Sequence, residues 1–346
     1  MKEKKEFIQW QILGGKVYGI GNTQGELKAG FYSPSYDDRN NPCLHPMEVE
    51  MPELYVLQDE TQNMILNDIE KFWNNEARYR KFNSIYKRNI LLYSVPGNGK
   101  TSLINIICRR LIEHYNGVVM MINKPYNLYA YGEIMQQMKS IEPTRKIIVV
   151  IEDFEYLANN PDASTTLLQM LDGNLQFDNV ITIATTNTPN MLGSRYVARP
   201  SRFNLVIEHK KPNDKARRDY IFKKLESGGI DVNDEKTKGD IERIVEKTEN
   251  YTFDFLKEAV QAIYVDGIEE DDVFKRLNET IANGANIKLT DEFSNPIGLM
   301  PDYGEDGQSC AKNIGRIERD YDAPCTRPRK LVPKGIKVLN DKTHLR

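Results

Sequence analysis

The sequence has few of the residues that build disulfide frameworks and metal centres. Its 346 residues include four cysteines and four histidines. The cysteines are Cys43, Cys108, Cys310 and Cys325. They form no C-x-x-C pair and the histidines do not cluster, which argues against a disulfide framework or a zinc site. Scattered cysteines are typical of a reducing compartment, so we expect a cytoplasmic location.

Long hydrophobic runs and a strong net charge are also lacking. The chain has no run of 18 apolar residues, and its charged N-terminus leads into no apolar segment of signal-peptide length, so we expect no membrane span. A net charge of −3 gives the whole molecule little attraction for nucleic acid. The exception is the basic end from Arg327 to Arg346, which leaves a nucleic-acid motor or loader open as one alternative, although basic tails are more often solvated ends or docking strips.

A glycine-rich segment at residues 94–101, with the sequence SVPGNGKT, is the most informative feature. An apolar strand-like run at 89–93 precedes it and a helical pattern at 102–111 follows it. This order of strand, turn, Lys-Thr and helix is that of a phosphate-binding P-loop. In such a loop the backbone N–H groups and the helix N-terminus face the anion.

Two side chains of this segment have chemistry suited to a nucleotide. Lys100 can reach the outer phosphates, and the hydroxyl of Thr101 can bind Mg²⁺. Ser94 stands where the usual pattern has its first glycine. Because Ser94 lies outside the Gly97–Thr101 cradle, we expect it to alter the stability of the turn more than the binding of ATP.

Strand and helix patterns alternate through the middle of the chain. The further strand candidates are residues 118–122, 147–151, 180–184 and 205–208. A helical pattern over 58–82, with Asp59 or Thr61 as a possible cap, precedes the P-loop strand. The alternation predicts an α/β fold with a parallel sheet covered by helices on both faces and ligands at the carboxyl ends of the strands.

The chain beyond Pro212 shows only helical patterns. They cover residues 214–225, 238–248, 252–264 and 271–282. We therefore predict four parts: an N-terminal extension of unknown role (1–56), the α/β core (57–211), a small all-helical domain (212–283) and a C-terminal extension with a basic end (284–346).

The N-terminal extension contains two strand candidates, residues 7–13 and 16–20. Pro34, Pro42 and Pro46 then predict an irregular stretch.

Acidic residues follow the apolar strand at 147–151. Glu152 is placed to hold Mg²⁺, and Asp153 to polarise the attacking water, as in P-loop ATPases. The usual order is Asp then Glu, and Asp is shorter than Glu by one C–C bond, about 1.5 Å. The alternative is a strand that simply ends in solvated acids.

Polar residues also follow the strand at 180–184. Asn187 could hydrogen-bond the γ-phosphate or the attacking water, or be a turn residue before Pro189. Arg199 and Arg202 lie on the next loop, where either could stabilise transition-state charge or be an ordinary surface residue.

Four blocks of sequence, taken in order, resemble AAA-type ATPases. They are residues 95–102, residues 149–155, residues 167–173 together with 185–189, and residues 199–203. Three further details are similar to the branch of that family that contains the mitochondrial Rieske-protein translocase. These are residues 69–72 leading to Tyr79-Arg80, the residues 91–93 before the P-loop, and the Glu152-Asp153 order.

The resemblance implies a Mg²⁺-dependent ATPase and assigns roles to individual residues. The residues assigned to ATP or ADP binding are Val95, Pro96, Gly97, Asn98, Gly99, Lys100, Thr101 and Ser102. Thr101 and Glu152 would hold Mg²⁺, and Glu152 and Asp153 would be the Walker B acids. Asn187 would be the sensor-1 residue.

The resemblance also implies an assembly. Arg202, together with Arg199, would act across a subunit interface, and residues 212–283 would be the lid of the ATPase. Family members commonly work as homo-oligomeric rings, often hexamers. Ser201 replaces the glycine of the family's arginine loop, and residues 252–264 show no sensor-2 arginine.

The leading hypothesis is an AAA ATPase that hydrolyses ATP as a ring and remodels an unknown protein client. A nucleotide-gated scaffold with slow or no hydrolysis is an alternative, motivated by Asp153, Ser94 and Ser201. Tyr129 and Tyr131 are candidates for a pore loop that grips a client, but Ala130 stands where an aromatic residue belongs. A buried or surface tyrosine pair is the other interpretation.

Overall fold

The structure is a computed structural model that describes residues 9–13, 16–20, 25–49, 54–57 and 59–290, with side chains described from residue 25 to residue 283 of these ranges. The chain divides into two compact units, residues 1–286 and residues 287–346. The strands and helices below belong to the first unit, apart from the end of the last helix. The basic end of the chain lies outside the described residues.

A seven-stranded sheet forms the centre of the fold. In spatial order its strands are β4 (Pro42–Met47), β3 (Gly30–Tyr36), β6 (Val118–Met121), β7 (Ile147–Ile151), β8 (Val180–Thr186), β5 (Lys87–Tyr93) and β9 (Leu205–Glu208). β4 runs antiparallel to β3, and all other neighbours are parallel. A separate antiparallel pair consists of β1 (Gln9–Leu13) and β2 (Lys16–Ile20). The predicted parallel sheet is confirmed.

The prediction of an irregular stretch around Pro34, Pro42 and Pro46 is wrong, because these prolines lie in β3 and β4. Pro42 and Pro46 occupy the edge strand, where a missing N–H is tolerated. Pro34 falls beyond Gly30–Tyr32, the part of β3 that pairs with β6. The sheet therefore includes a hairpin from the segment predicted to be an N-terminal extension, while the four-part division of the chain stays a prediction.

Helices cover both faces of the sheet, as predicted. They are α1 (Glu60–Trp73), α2 (Glu76–Lys81), α3 (Lys100–Tyr115), α4 (Pro125–Ile141), α5 (Phe154–Ala158), α6 (Pro161–Asp172) and α7 (Ser194–Val197), with a 3₁₀ turn at Pro189–Met191. Alternate side chains of β7 belong to two hydrophobic cores. Val149 packs with residues of α4 and α6, and Val150 packs with residues of α1 and α3. This double burial explains why β7 is apolar throughout.

The helical pattern at 58–82 forms two helices rather than one. Asp59 caps α1, because its carboxylate accepts a hydrogen bond from the Gln62 N–H at 2.7 Å. At the other end of α1, the ring of Phe72 stacks on Tyr86 with 4.4 Å between centroids. The chain is thereby fastened to the start of β5, the strand that leads into the P-loop.

Beyond Pro212 the described residues form helices only. These are α8 (Asp214–Ser227), α9 (Glu235–Lys247), α10 (Phe253–Tyr264) and α11 (Glu270–Thr290). They pack around their own apolar core, which includes Ile221, Leu256 and Phe274. The prediction that this region is helical is confirmed, although α11 continues past its predicted end. Within the described part of the chain, no helix is both long enough and apolar enough to cross a membrane.

Candidate functional site

The candidate site lies where three neighbouring parallel strands end. The P-loop follows β5, Glu152 and Asp153 follow β7, and Asn187 follows β8. These segments enclose a cavity of about 420 Å³, the P-loop cavity. Its walls are residues 96–102, Glu152, Asp153, Thr185, Asn187 and Asp254. Because parallel strands bring their carboxyl ends to one edge, residues far apart in sequence meet here.

The P-loop backbone needs its glycines. Gly97 and Gly99 have φ angles of 73° and 82°, in the region that other residues rarely enter. A Cβ on Gly97 would lie 2.7 Å from Oδ2 of Asp254, so there is also no space for one. Gly99 is the residue before α3, and the unpaired N–H groups of the first turn of that helix therefore face the cavity. This cradle fits a phosphate group.

Lys100 is held by oxygen atoms on both sides of the cavity. Its Nζ donates to Oδ1 of Asn187 at 2.5 Å, to Oγ of Ser94 at 2.9 Å and to the Ser94 carbonyl at 3.3 Å. Burial lowers the pKa of Lys100, and the negative charges of Asp153 and nearby carboxylates partly offset this effect. The structure thus brings together Lys100 and Asn187, two residues predicted for the site.

Ser94 has a role that the sequence did not predict. The side chain is only 5% exposed, and its hydroxyl both accepts from Lys100 and donates to the Val95 carbonyl at 2.8 Å. The signal for this role in the sequence is a hydroxyl residue that directly follows an apolar strand and begins the loop leading to Lys100.

The two predicted Mg²⁺ ligands are adjacent. Oγ1 of Thr101 donates to Oε1 of Glu152 at 2.7 Å. A hydroxyl and a carboxylate beside a phosphate cradle are the oxygen ligands that Mg²⁺ uses together with substrate phosphates. The donor set therefore fits the ion that the fold family implies.

Asp153 has an unusual backbone. Its φ and ψ are 47° and 53°, a left-handed conformation that few residues other than glycine adopt, although Asp is among those enriched there. Such conformations cost free energy and occur preferentially at functional sites. The side chain is exposed at the wall of the P-loop cavity.

The two candidate arginines differ in their surroundings. Arg202 is 7% exposed, and its Nε donates to Oδ2 of Asp172 at 2.8 Å. Its NH1 also donates to the carbonyl of Arg195. Arg199 is exposed, and neither arginine belongs to the walls of the P-loop cavity. Arg202 thus forms an ion pair inside its own chain, which competes with its predicted role at a neighbouring subunit.

A second pocket of about 350 Å³ adjoins the first and shares Gly99, Ser102 and Asp254 with it. The sequence did not predict this pocket. Its other walls come from the segment before α1, from α3 and from the helical domain, and include Leu57, Leu103, Tyr220 and Phe253. These apolar and aromatic groups lie next to the cradle, so the two pockets together could hold an elongated ligand with one charged and one flat apolar end.

His209 lies at the wall of the second pocket, directly after β9. Its backbone N–H donates to the Tyr93 carbonyl at 2.8 Å, and its carbonyl accepts from Nδ2 of Asn98 at 2.6 Å. The ring is buried, and its Nδ1 has no hydrogen-bond partner among the residues that the structure describes. Burial lowers the pKa of His209, while the carboxylate of Asp59 acts in the opposite direction.

The tyrosine pair considered for a pore loop lies on a helix. Tyr131 is 1% exposed in α4 and its ring meets that of Phe177 edge-on, with 6.1 Å between centroids. Tyr129 is 38% exposed. Tyr131 therefore belongs to the core, which was the alternative interpretation of this pair.

Comparison with known proteins agrees with this geometry. Residues 90–211 match the model of the ATPase family associated with various cellular activities (AAA). A probable mitochondrial chaperone, BCS1-A of Dictyostelium discoideum, is 29% identical over 180 residues, which cover 47% of this chain and 41% of the relative. ATPase family gene 2 protein of Schizosaccharomyces pombe is 30% identical over 180 residues, covering 48% and 22% of the two chains.

A third relative is described as an AAA ATPase forming ring-shaped complexes, from Kocuria rhizophila. It is 28% identical over 162 residues, which cover 39% of this chain and 28% of the relative. The chain thus spans less than half the length of each of these relatives. The family match, the predicted motifs and the P-loop geometry coincide on the same residues, and the chain therefore carries a domain of the AAA family.

Proposed function

We propose that the AAA domain binds ATP together with Mg²⁺ in the P-loop cavity and hydrolyses it. The observation that carries this proposal is the convergence of Lys100, Thr101, Glu152 and Asn187, from three separate segments, on one glycine-lined cradle. Phosphoryl transfer needs mainly positioning and charge stabilisation, and these residues supply both.

Each residue has a defined part in the proposed reaction. The backbone N–H groups of the loop and Lys100 hold the phosphates, and Lys100 exchanges its bonds to Ser94 and Asn187 for phosphate oxygens. Thr101 and Glu152 would hold Mg²⁺, which when bound would offset charge on the phosphates. Asn187 and Asp153 orient the attacking water, with Asp153 as its proton acceptor.

The adjoining pocket is the proposed site of the nucleoside. Its apolar and aromatic walls suit a flat base, and its shared border with the cradle at Gly99 and Ser102 places a sugar between base and phosphates. The same contacts would retain ADP after hydrolysis.

The predicted ring with an unknown protein client is part of the proposal. In that ring the exposed Arg199 acts at the neighbouring subunit's nucleotide, while Arg202 supports the loop through Asp172. The name of the ring-forming relative is in line with this assembly. Light scattering with ATP, with ADP and without nucleotide tests it: ATP should give a closed oligomer. The cytoplasmic location likewise stays a prediction.

Turnover of ATP by purified protein tests the site itself. Wild type should release phosphate, and Lys100→Ala should lower the rate at least about a hundredfold, because the phosphates lose the partly buried cation of the cavity wall. Lys81→Ala is a matched control, since it removes an exposed lysine of α2 outside the cavity. Equal rates for wild type and Lys100→Ala would refute the assignment.

The nucleotide-gated scaffold remains a second candidate because of one observation, the left-handed backbone at the short Asp153. ATP binding and assembly without measurable phosphate release would favour it. A gain of turnover in Asp153→Glu would then identify the acid as the missing element. The nucleic-acid alternative depends on the basic tail, and salt-sensitive binding that is lost when residues 327–346 are deleted would support it.

A further inference from the structure

The helical domain places a carboxylate against the P-loop. Asp254 is the second residue of α10, and its backbone N–H donates to the Gly97 carbonyl at 3.0 Å. Its side chain lies over Gly97 so closely that a Cβ there would meet Oδ2 at 2.7 Å. Asp254 is thus a direct contact between the helical domain and the loop that would hold the phosphates.

The negative charge of Asp254 opposes the binding of a nucleotide, which is itself negatively charged. Among the side chains that wall the P-loop cavity, Lys100 is a cation, whereas Glu152, Asp153 and Asp254 are carboxylates. Glu152 and Asp153 have parts in the proposed reaction, with Mg²⁺ and water between them and the phosphates. Asp254 comes from a different element and has no part in that reaction.

When the cradle holds no phosphate, a carboxylate is well placed there. The loop N–H groups, the N-terminus of α3 and Lys100 all favour a negative charge nearby. Phosphate groups compete for the same positive environment and repel Asp254, more strongly as their number of charges rises.

We propose that Asp254 is an electrostatic latch between the helical domain and the P-loop. The inference rests on the proposed binding of ATP and ADP in the P-loop cavity. The latch holds the start of α10 on Gly97 in the phosphate-free protein, weakens nucleotide binding, and moves α10 away from the loop as phosphate charge enters. The repulsion is greater for ATP than for ADP, so the number of phosphates determines the position of the helical domain.

The competing interpretation is a sugar contact. Asp254 also borders the second pocket, and a carboxylate at that place could accept hydrogen bonds from ribose hydroxyls. The two interpretations predict opposite effects of neutralising the side chain, because a latch opposes the nucleotide and a sugar contact supports it.

Asp254→Asn in the full chain separates them, since it removes the charge but keeps the shape and the backbone N–H. Affinities for ATP and ADP with Mg²⁺ would be measured by calorimetry at low and high salt. We expect the variant to bind ATP about tenfold more tightly, to gain less for ADP, and to lose most of the gain at high salt. Glu258→Gln is the matched control, because it removes an exposed carboxylate from the same helix and should change neither affinity.

Hydrogen exchange supplies a second readout. Added ATP should lower the protection of amides at the start of α10 in wild type and change it less in Asp254→Asn. Unchanged or weaker ATP binding by Asp254→Asn would overturn the latch. If the variant lost affinity for ribonucleotides but not for 2′-deoxyribonucleotides, Asp254 would be assigned to the sugar contact instead. If wild type bound neither ATP nor ADP, the proposed function would fail along with the latch.

Discussion

The hydroxyl of Ser94 accepts a hydrogen bond from the ammonium group of Lys100, with 2.9 Å between Oγ and Nζ. Ser94 stands at the position where the P-loop pattern has its first glycine, and its side chain is almost fully buried. The lysine that would bind the outer phosphates is therefore held by its own loop, and a ligand has to displace Ser94 to engage it.

We expect Ser94→Ala to tighten ATP binding about threefold to tenfold, because the net value of the displaced hydrogen bond is about 1 kcal/mol. Equilibrium titration with a fluorescent nucleotide would measure the change. Ser164→Ala serves as a control, since it removes another buried serine hydroxyl, in α6, away from the cavity. Binding weakened more than about tenfold in Ser94→Ala would instead show that Ser94 holds Lys100 in its active position.

The two arginines of the loop after α7 should respond differently to substitution. Arg202→Met removes the ion-pair partner of Asp172 in a largely buried site, so we expect the free energy of unfolding to fall by about 3 kcal/mol. Arg199→Met changes an exposed side chain and should cost less than about 0.5 kcal/mol, yet lower ATP turnover by about a thousandfold in the ring. Urea unfolding followed by tryptophan fluorescence, with turnover on the same samples, tests both. Similar stability losses in the two variants would contradict this division of roles.

The buried ring of His209 predicts a pH dependence of stability. Its pKa in the folded protein is lowered from 6.5, so the unfolded chain takes up the proton first as the pH falls. The stabilisation is fully present above about pH 6.5 and is lost below it, at a rate of order 1 kcal/mol per pH unit. In His209→Asn this part of the pH profile should vanish, whereas His114→Gln, an exposed control, should keep it. Urea unfolding at about pH 7.5 and about pH 5.5 measures this change in the free energy of unfolding. An equal change in His209→Asn and in wild type would contradict the prediction.

Removal of Mg²⁺ should weaken ATP binding by wild type more than about tenfold, because the loop N–H groups and Lys100 then face the phosphates beside three carboxylates with no metal ion to offset the negative charge. Thr101→Val lacks the hydroxyl that touches Glu152, so its ATP affinity should respond less to Mg²⁺. Thr101→Ser retains the hydroxyl and should behave as wild type. Titrations with and without a chelator give the result, and an affinity indifferent to the chelator in wild type would argue against the metal site.

Much of the core could be predicted because its strands are buried on both faces. The run Ile147–Ile151 is apolar throughout and ends in acids, and β7 has those bounds. The hairpin of β3 and β4 was missed, because its three prolines are strong turn signals and its partner β6 is distant in sequence. Edge pairing between distant segments leaves no local pattern to detect.

The candidate site also has residues that the sequence predicts and contacts that it does not. Lys100, Thr101, Glu152 and Asn187 occur in motifs that follow strands, so the parallel sheet brings them together. The contact of Asp254 with Gly97 and the pairing of Arg202 with Asp172 depend on how helices dock, which spacing along the chain does not encode. The sequence shows that Ser94 replaces a glycine of the P-loop pattern, but its hydrogen bond to Lys100 is visible only in the folded loop.

The position of β5 in the sheet has a consequence for synthesis on the ribosome. Its two neighbours, β8 and β9, both follow it in the chain, and β9 ends at Glu208. Because synthesis proceeds from the N-terminus, the P-loop strand emerges with both of its edges unpaired and stays so while the intervening chain is made. A nascent chain that stops short of Glu208 leaves the β9 side of the P-loop strand unpaired, and during this interval exposed strand edges favour aggregation or capture by a chaperone.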